Sequence, residues 1–306
     1  NGGNVLLDGQ IAGGSQVNIH GTALTSGNSS SLSSKGNLTL SSGETSLGGQ
    51  LSAQGDVSLN AAGLTTRAGS QLQGHNLTLS MQQGQLAGNQ AASGDLQVTS
   101  AGNLSHSGTL NGQTVGVRAD QLDNSGSWQT EQLILQLRGL TQQGSLLARQ
   151  GMTLNADRLT NRGSIAATDL TLMLNGAADN QNGGKIVARN GLTFNSASLN
   201  NSGTLSGDNV KLNSTVLDNN GLIQGQQALD VRTTGLNNTG NGQLLSAGTM
   251  TLSGKQATNG GLWQAQTLNL TADSLDNRGE LNAGMQLLHL ASALNNQTGG
   301  RIVAQQ

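Results

Sequence analysis

The feature that most constrains this chain is a phrase, Leu-x-Asn-x-Gly-x-(Leu/Ile), that recurs almost to the last residue. Clear copies are Leu159-Thr160-Asn161-Arg162-Gly163-Ser164-Ile165, Leu199-Asn200-Asn201-Ser202-Gly203-Thr204-Leu205 and Leu275-Asp276-Asn277-Arg278-Gly279-Glu280-Leu281. Two apolar markers alternate along with it. One is a pair of aliphatics separated by a single residue, starting at Val17 and Leu38 and continuing to Leu268 and Leu288. The other is a single large apolar residue soon after a glycine, from Ile11 and Leu32 through Leu72, Leu86, Leu110 and Trp128 to Leu281 and Ile302. Both recur about every 19 residues over the 306 of the chain. A sustained period of this length sets the architecture before local propensity is consulted.

Within a unit the alternation has period two. Val115, Val117 and Ala119 are apolar, as are Leu268, Leu270 and Ala272. That is the pattern of strands with one face buried. No helical period is sustained, and 46 glycines with no proline, tyrosine or cysteine suit short strands joined by tight turns. A unit of about 19 residues is too short for a propeller blade and lacks the helical half of a leucine-rich repeat. The expected fold is all-β, a parallel β-helix of about 16 coils, each pairing with the coils above and below. Stacked at about 4.8 Å per coil, it would form a rod roughly 75 Å long. No shift in composition marks a domain boundary, so residues 1–306 read as a single β-helix segment that begins and ends in mid-pattern, a piece of something longer.

The recurring asparagine predicts an inward-facing ladder at one turn: Asn124, Asn161, Asn180, Asn201, Asn219, Asn238, Asn259, Asn277 and Asn296. Asparagine bonds its local backbone readily, and stacked amides can bond one another. From Asn180 onward the spacings run 21, 18, 19, 21, 18 and 19, so every third unit carries a two-residue insertion. Residues 104–306 hold the phrase regularly, whereas residues 1–103 keep the apolar markers with degenerate, looser turns. Met81 to Ser93 is the least regular stretch. Trp128 and Trp263 fall in the slot of Ile165 and Leu281 and are expected to pack in the core and bind nothing.

Chemistry finds little purchase. A polysaccharide-acting β-helix enzyme needs carboxylates at one phase on neighbouring coils. Asp123, Asp179, Asp218 and Asp276 share a phase but never occupy adjacent units, nor do Asp120, Asp157 and Asp273. Two coils separate like charges by about 10 Å. No catalytic residue is therefore assigned. His106 takes a ladder position, His289 should point outward, and His20 and His75 flank strands, so no metal site is expected. The glycine-rich turns lack the Lys-Ser/Thr of a phosphate loop, and no cofactor is expected. A net charge of −2 without a basic block gives no footprint for nucleic acid.

The phrase, followed by an aliphatic pair as in Leu159 to Leu172 and Leu275 to Leu290, resembles the haemagglutinin repeat of filamentous haemagglutinins and of contact-dependent growth inhibition exoproteins. The resemblance is strong over 104–306 and weaker over 1–103. It implies a right-handed β-helix. It also implies a protein secreted by a Gram-negative bacterium to its surface, exported by an outer-membrane two-partner-secretion transporter. The expected function is a shaft that projects a distal adhesin, receptor-binding or toxin domain. An adhesive surface that binds a receptor or glycan on a target cell is the alternative, and a polysaccharide-acting enzyme a more distant one.

Overall fold

The computed structural model describes residues 2–304 and divides into two compact units, Asn1–Gly151 and Met152–Gln306. Every regular element among the described residues is a β-strand, and every strand pairing recorded is parallel. Each unit taken by itself is a parallel β-helix, and the two together hold about 16 coils of about 19 residues. Period-two patterning dictates this. With alternate side chains turned inward, a strand is stable only when neighbours stack over the inward set, and the next repeat supplies that neighbour.

In the first unit the aliphatic pair forms an unbroken column. Leu38 pairs with Val57, Leu77, Leu96, Val115 and Leu133 in turn, one coil after another. A second column runs Ile11, Leu32, Leu51, Leu72, Gln90, Leu110 and Trp128. Here the structure corrects one reading of the sequence. Leu86 is not the apolar residue of this column. It pairs with Thr66 and His106 at the turn corner, and Gln90, fully buried, stands in the apolar column. The stretch Met81 to Ser93 is nonetheless in register with the coils on either side. Its irregularity is a compensated substitution. Gly84 occupies the column of Leu64 and Leu104, and the sulfur of Met81 fills the space where a Gly84 side chain would begin. Methionine's flexible thioether suits that repair.

In the second unit the strands lengthen. Lys185–Asn201, Thr204–Asn219, Leu222–Asn238, Leu262–Asn277 and Glu280–Asn296 each begin beside the single apolar residue and end on an asparagine. Leu170, Leu192, Val210, Leu229, Met250 and Leu268 stack in one column, and Leu172, Phe194, Leu212, Val231, Leu252 and Leu270 in the next. All of these are buried. Full burial stabilises each large aliphatic by about 1.5–3 kcal/mol relative to exposure. The coil that starts at Glu280 brings a second correction. Its aliphatic pair, Leu288 and Leu290, is displaced by one inward position, so Leu288 joins the second column and not the first. Leu288 pairs with Leu270, Leu290 with Ala272, and Gln286 faces Leu268. His289, opposite Thr271, is exposed as its position between two leucines predicts.

Candidate functional site

The turn corner carries the extended run of buried polar side chains among the described residues. In the second unit Asn161, Asn180, Asn201, Asn219, Asn238, Asn259 and Asn277 are buried, and Asn296 is exposed. The structure brings all eight into one hydrogen-bonded series. Asn161 Nδ2 donates to Asn180 Oδ1 at 2.8 Å and Asn180 to Asn201 at 2.7 Å. Asn201 to Asn219, Asn219 to Asn238 and Asn277 to Asn296 span 2.8 Å, and Asn238 to Asn259 and Asn259 to Asn277 span 2.9 Å. The second proton of an amide goes to a turn carbonyl, as from Asn238 to Gly242 at 2.9 Å and from Asn219 to Gly221 at 3.1 Å. An amide suits the place because it presents two donors and an acceptor on one short arm.

Asn124 lies in the first unit and in different company. Its Nδ2 donates to Gln142 Oε1 at 2.9 Å, and its Oδ1 accepts from the Gly126 N–H at 3.2 Å. Beside it sits His106, buried, with Trp128 Nε1 2.8 Å from its Nδ1 and Gln90 Oε1 3.1 Å from its Nε2. The indole N–H can only donate, so Nδ1 accepts from it. The imidazole proton is then on Nε2 and goes to Gln90. Gln90 Nε2 donates onward to Thr66 Oγ1 at 3.3 Å. The two rings meet edge-on, 5.2 Å apart at 83°. Burial pushes the His106 imidazole down to about 4 from 6.5, against the raising effect of Asn124 Oδ1 at 3.1 Å. His106 is therefore neutral at pH 7, and a second proton would have to enter at Nδ1, against the indole N–H. Sequence reading places His106 and Asn124 in this corner and misses Thr66, Gln90 and Gln142. The missing signal was available, because a turn glycine precedes the slot residue by two, as Gly108 precedes Leu110 and Gly126 precedes Trp128. Gly88 marks Gln90 in the same way.

Outside the corner the charges are dispersed. Asp179 accepts from Asn200 at 3.0 Å and Asp218 from Asn237 at 3.0 Å, so amides separate the carboxylates of one row. Ion pairs such as Arg138 with Asp120 at 3.0 Å and Arg149 with Glu131 at 3.1 Å are solvent-exposed and contribute little. Among the described residues no three metal-ligating side chains cluster. The two tryptophans are buried, Trp128 bonded as above and Trp263 with its indole N–H unpartnered.

A column of turn amides repeated once per coil is thus the second unit's principal construction, and the haemagglutinin repeat matches the chain over residues 1–42, 10–108, 88–139, 135–222, 202–279 and 258–306. The chain belongs to the haemagglutinin repeat family. Among curated relatives it is 34% identical over 278 residues to a protein named "Toxin CdiA" from Escherichia coli, which covers 90% of this chain and 9% of that protein. It is 32% identical over 194 residues to "Deoxyribonuclease CdiA" of Dickeya dadantii, covering 61% of this chain and 6% of that protein. It is 33% identical over 278 residues to "tRNA nuclease CdiA" of Escherichia coli O6:K15:H31, covering 90% of this chain and 8% of that protein. The chain therefore spans less than a tenth of the length of these relatives. No solved structure matches it. The haemagglutinin repeat now has physical parts: an inward leucine, a ladder amide, a turn glycine and a core aliphatic that opens the next strand. Its glycine is fixed by crowding. A Cβ on Gly221 would meet the Gly203 carbonyl oxygen at 2.2 Å, and one on Gly279 would meet that of Gly261 at 2.1 Å.

Proposed function

We propose that this chain is a shaft segment of a large exoprotein, holding a distal functional domain away from the cell that makes it. The amide series from Asn161 to Asn296 carries the reading, because it commits every coil of the second unit to contact with its neighbours and leaves the interior without room for chemistry. Membership of the haemagglutinin repeat family and likeness to CdiA proteins of Gram-negative bacteria support it. The chain would be secreted or displayed at a Gram-negative surface after export through an outer-membrane two-partner-secretion transporter. The nuclease activities in the relatives' names belong to those proteins, and the separation of carboxylates here supports a non-enzymatic role for this segment. In this reading the nine ladder asparagines are structural, and each coil is interchangeable with any other.

Interchangeability is the test. In the parent exoprotein, residues 181–238 are one three-coil period and residues 239–296 the next. Replacing the first block by a copy of the second preserves length and should leave the distal activity intact. Deleting the block should shorten the reach by about 14 Å, three coils at about 4.8 Å, and reduce activity only where reach limits it. Loss of activity in the length-preserving swap would overturn the shaft reading.

A further inference from the structure

Each unit carries a shallow groove at the corner that follows the aliphatic pair. In the first unit it is rimmed by Ser41, Asn60, Ser80, Gln82 and Thr99, encloses about 380 Å³ and bears no charged side chain. In the second it runs across successive coils from Asn175 to Lys255 and encloses about 620 Å³. Local sequence makes it. Ser196, Ser214 and Thr233 stack in register as a short-side-chain floor, and Asn195, Asn213 and Arg232 stack beside them as one wall. The wall amides are linked, Asn213 donating to Asn195 at 2.7 Å. The Ser196 and Ser214 hydroxyls are buried without a protein partner.

The second groove differs from the first in charge. Arg232 and Lys255 line it on successive coils, and Lys211, one coil earlier and in register with Asp230, lines an adjoining hollow of about 200 Å³ with Asn213, Asp230 and Arg232. The carboxylate lining that hollow is Asp230, opposite Lys211 in register and 3.5 Å from Arg232 in an exposed pair that leaves the guanidinium available, and on the following coil the Asp273 N–H donates to the Lys255 carbonyl. The groove's floor and wall are hydroxyls and amides, the natural partners of sugar hydroxyls, and an arginine fork matches a carboxylate bidentately. No aromatic platform accompanies them. Trp128, Trp263 and Phe194 are all buried, and the chain has no tyrosine. That disfavours neutral sugars held by stacking and single-stranded nucleic acid held through its bases. We propose that this groove in the second unit docks a linear acidic polysaccharide of the uronate type, its carboxylates meeting Lys211, Arg232 and Lys255 and its hydroxyls meeting the Asn195 and Asn213 wall. This gives the segment a binding surface in addition to its length.

Calorimetric titration of the whole chain with oligogalacturonate tests it. The expected result is saturable binding that weakens as salt rises and is lost when the uronates are methyl-esterified. The triple variant Lys211→Gln, Arg232→Gln and Lys255→Gln should raise Kd at least tenfold with an unchanged melting curve, since all three side chains are on the outside. Three results would overturn the proposal: no binding by the native chain, binding that the triple variant retains, or tighter binding of a single-stranded oligonucleotide through the same three residues. An independent pair, Asn195→Ala with Asn213→Ala, should weaken binding while preserving its salt dependence, and unchanged affinity in that pair would overturn the assigned wall.

Discussion

In the first unit the turn-corner column reads Leu7, Ser26, Leu47, Thr66 and Leu86 before it reaches His106 and Asn124; in the second it is asparagine from Asn161 to Asn296. Both columns close the same kind of turn. The hydroxyls of the first unit do so piecewise. Ser26 Oγ accepts from the Gly48 N–H at 3.0 Å, and Thr66 Oγ1 from those of Ala87 and Gly88 at 3.0 and 3.3 Å. The leucines between them add burial and no polar bond. A hydroxyl brings one proton, so its bonds end at the next turn. An amide brings two protons and an acceptor, so each satisfies its own turn and still reaches its neighbour. The first unit thus holds its corner by alternating apolar packing with local caps. The second holds it by a continuous series in which bonds can polarise one another. His106, Gln90 and Trp128 are where the first unit changes from one scheme towards the other.

That node is the place to break the comparison hardest. Trp128→Ala removes a fully buried side chain and deprives His106 Nδ1 of its donor. The expected loss is about 4 kcal/mol, as for other buried aromatic truncations. Because stability in stacked repeats is largely nearest-neighbour, hydrogen exchange should accelerate first in the coils holding Gln90, His106 and Asn124. Uniform acceleration across the second unit as well would show that the two column chemistries do not define separate zones of stability.

Acid probes the same node without mutation. Burial lowers the folded His106 pKa to about 4, whereas in the unfolded chain it returns to 6.5. Between those values the unfolded state binds the proton and the folded state refuses it. Stability therefore falls as pH drops through that window and is fully retained above it. The full effect at pH 4 is about 3 kcal/mol. His106→Gln should flatten this slope, measured as denaturant midpoint against pH. An unchanged slope in that variant would place the acid sensitivity elsewhere.

Asn219→Leu is the matching break in the second unit. It leaves the Oδ1 of Asn238 without its donor and removes the acceptor of Asn201 Nδ2, two buried groups at once. The expected loss is about 2 kcal/mol, seen as a lower denaturant midpoint. Leucine at this corner is what the first unit uses at Leu47 and Leu86, so residue volume alone predicts no penalty. The outcome decides whether the amide series or the packing stabilises the corner.

How far the chain could be read in advance follows from the same contrast. The period, the strand alternation and the eight asparagines that meet from Asn161 to Asn296 were legible because each coil repeats the same local demand. Three features were not. The spacing from Gly88 marks the slot of Gln90, but a glutamine stands in that apolar column opposite His106, a coil away, whose Nε2 it meets, a pairing no single repeat contains. Gly84 is tolerated because Met81 fills its space. Gln286 takes the place opposite Leu268 through a shift in which later leucines move to the next inward positions. In each case the explanation lies between coils, where spacing along the chain is silent.

One turn is shared by both units and gives the finest test. Arg67-Ala68-Gly69-Ser70 and Gln181-Asn182-Gly183-Gly184 close with the same backbone bond, Ser70 N–H to Arg67 O at 3.0 Å and Gly184 N–H to Gln181 O at 2.9 Å. Gly69 at φ 83 and Gly183 at φ 85 hold the left-handed position, each with open space around a would-be Cβ. Alanine at either therefore meets no neighbour, and its penalty is backbone strain alone, about 1 kcal/mol. If the turns are equivalent, Gly69→Ala and Gly183→Ala should lower local stability equally, read by hydrogen exchange in the flanking strands. A smaller effect at Gly69 would mean that the Ser70 hydroxyl cap, which bonds Arg67 O at 2.7 Å, lets the turn relax where the amide series beneath Gly183 holds it fixed. Equal effects would locate the difference between the units wholly in the column and not in the turns it supports.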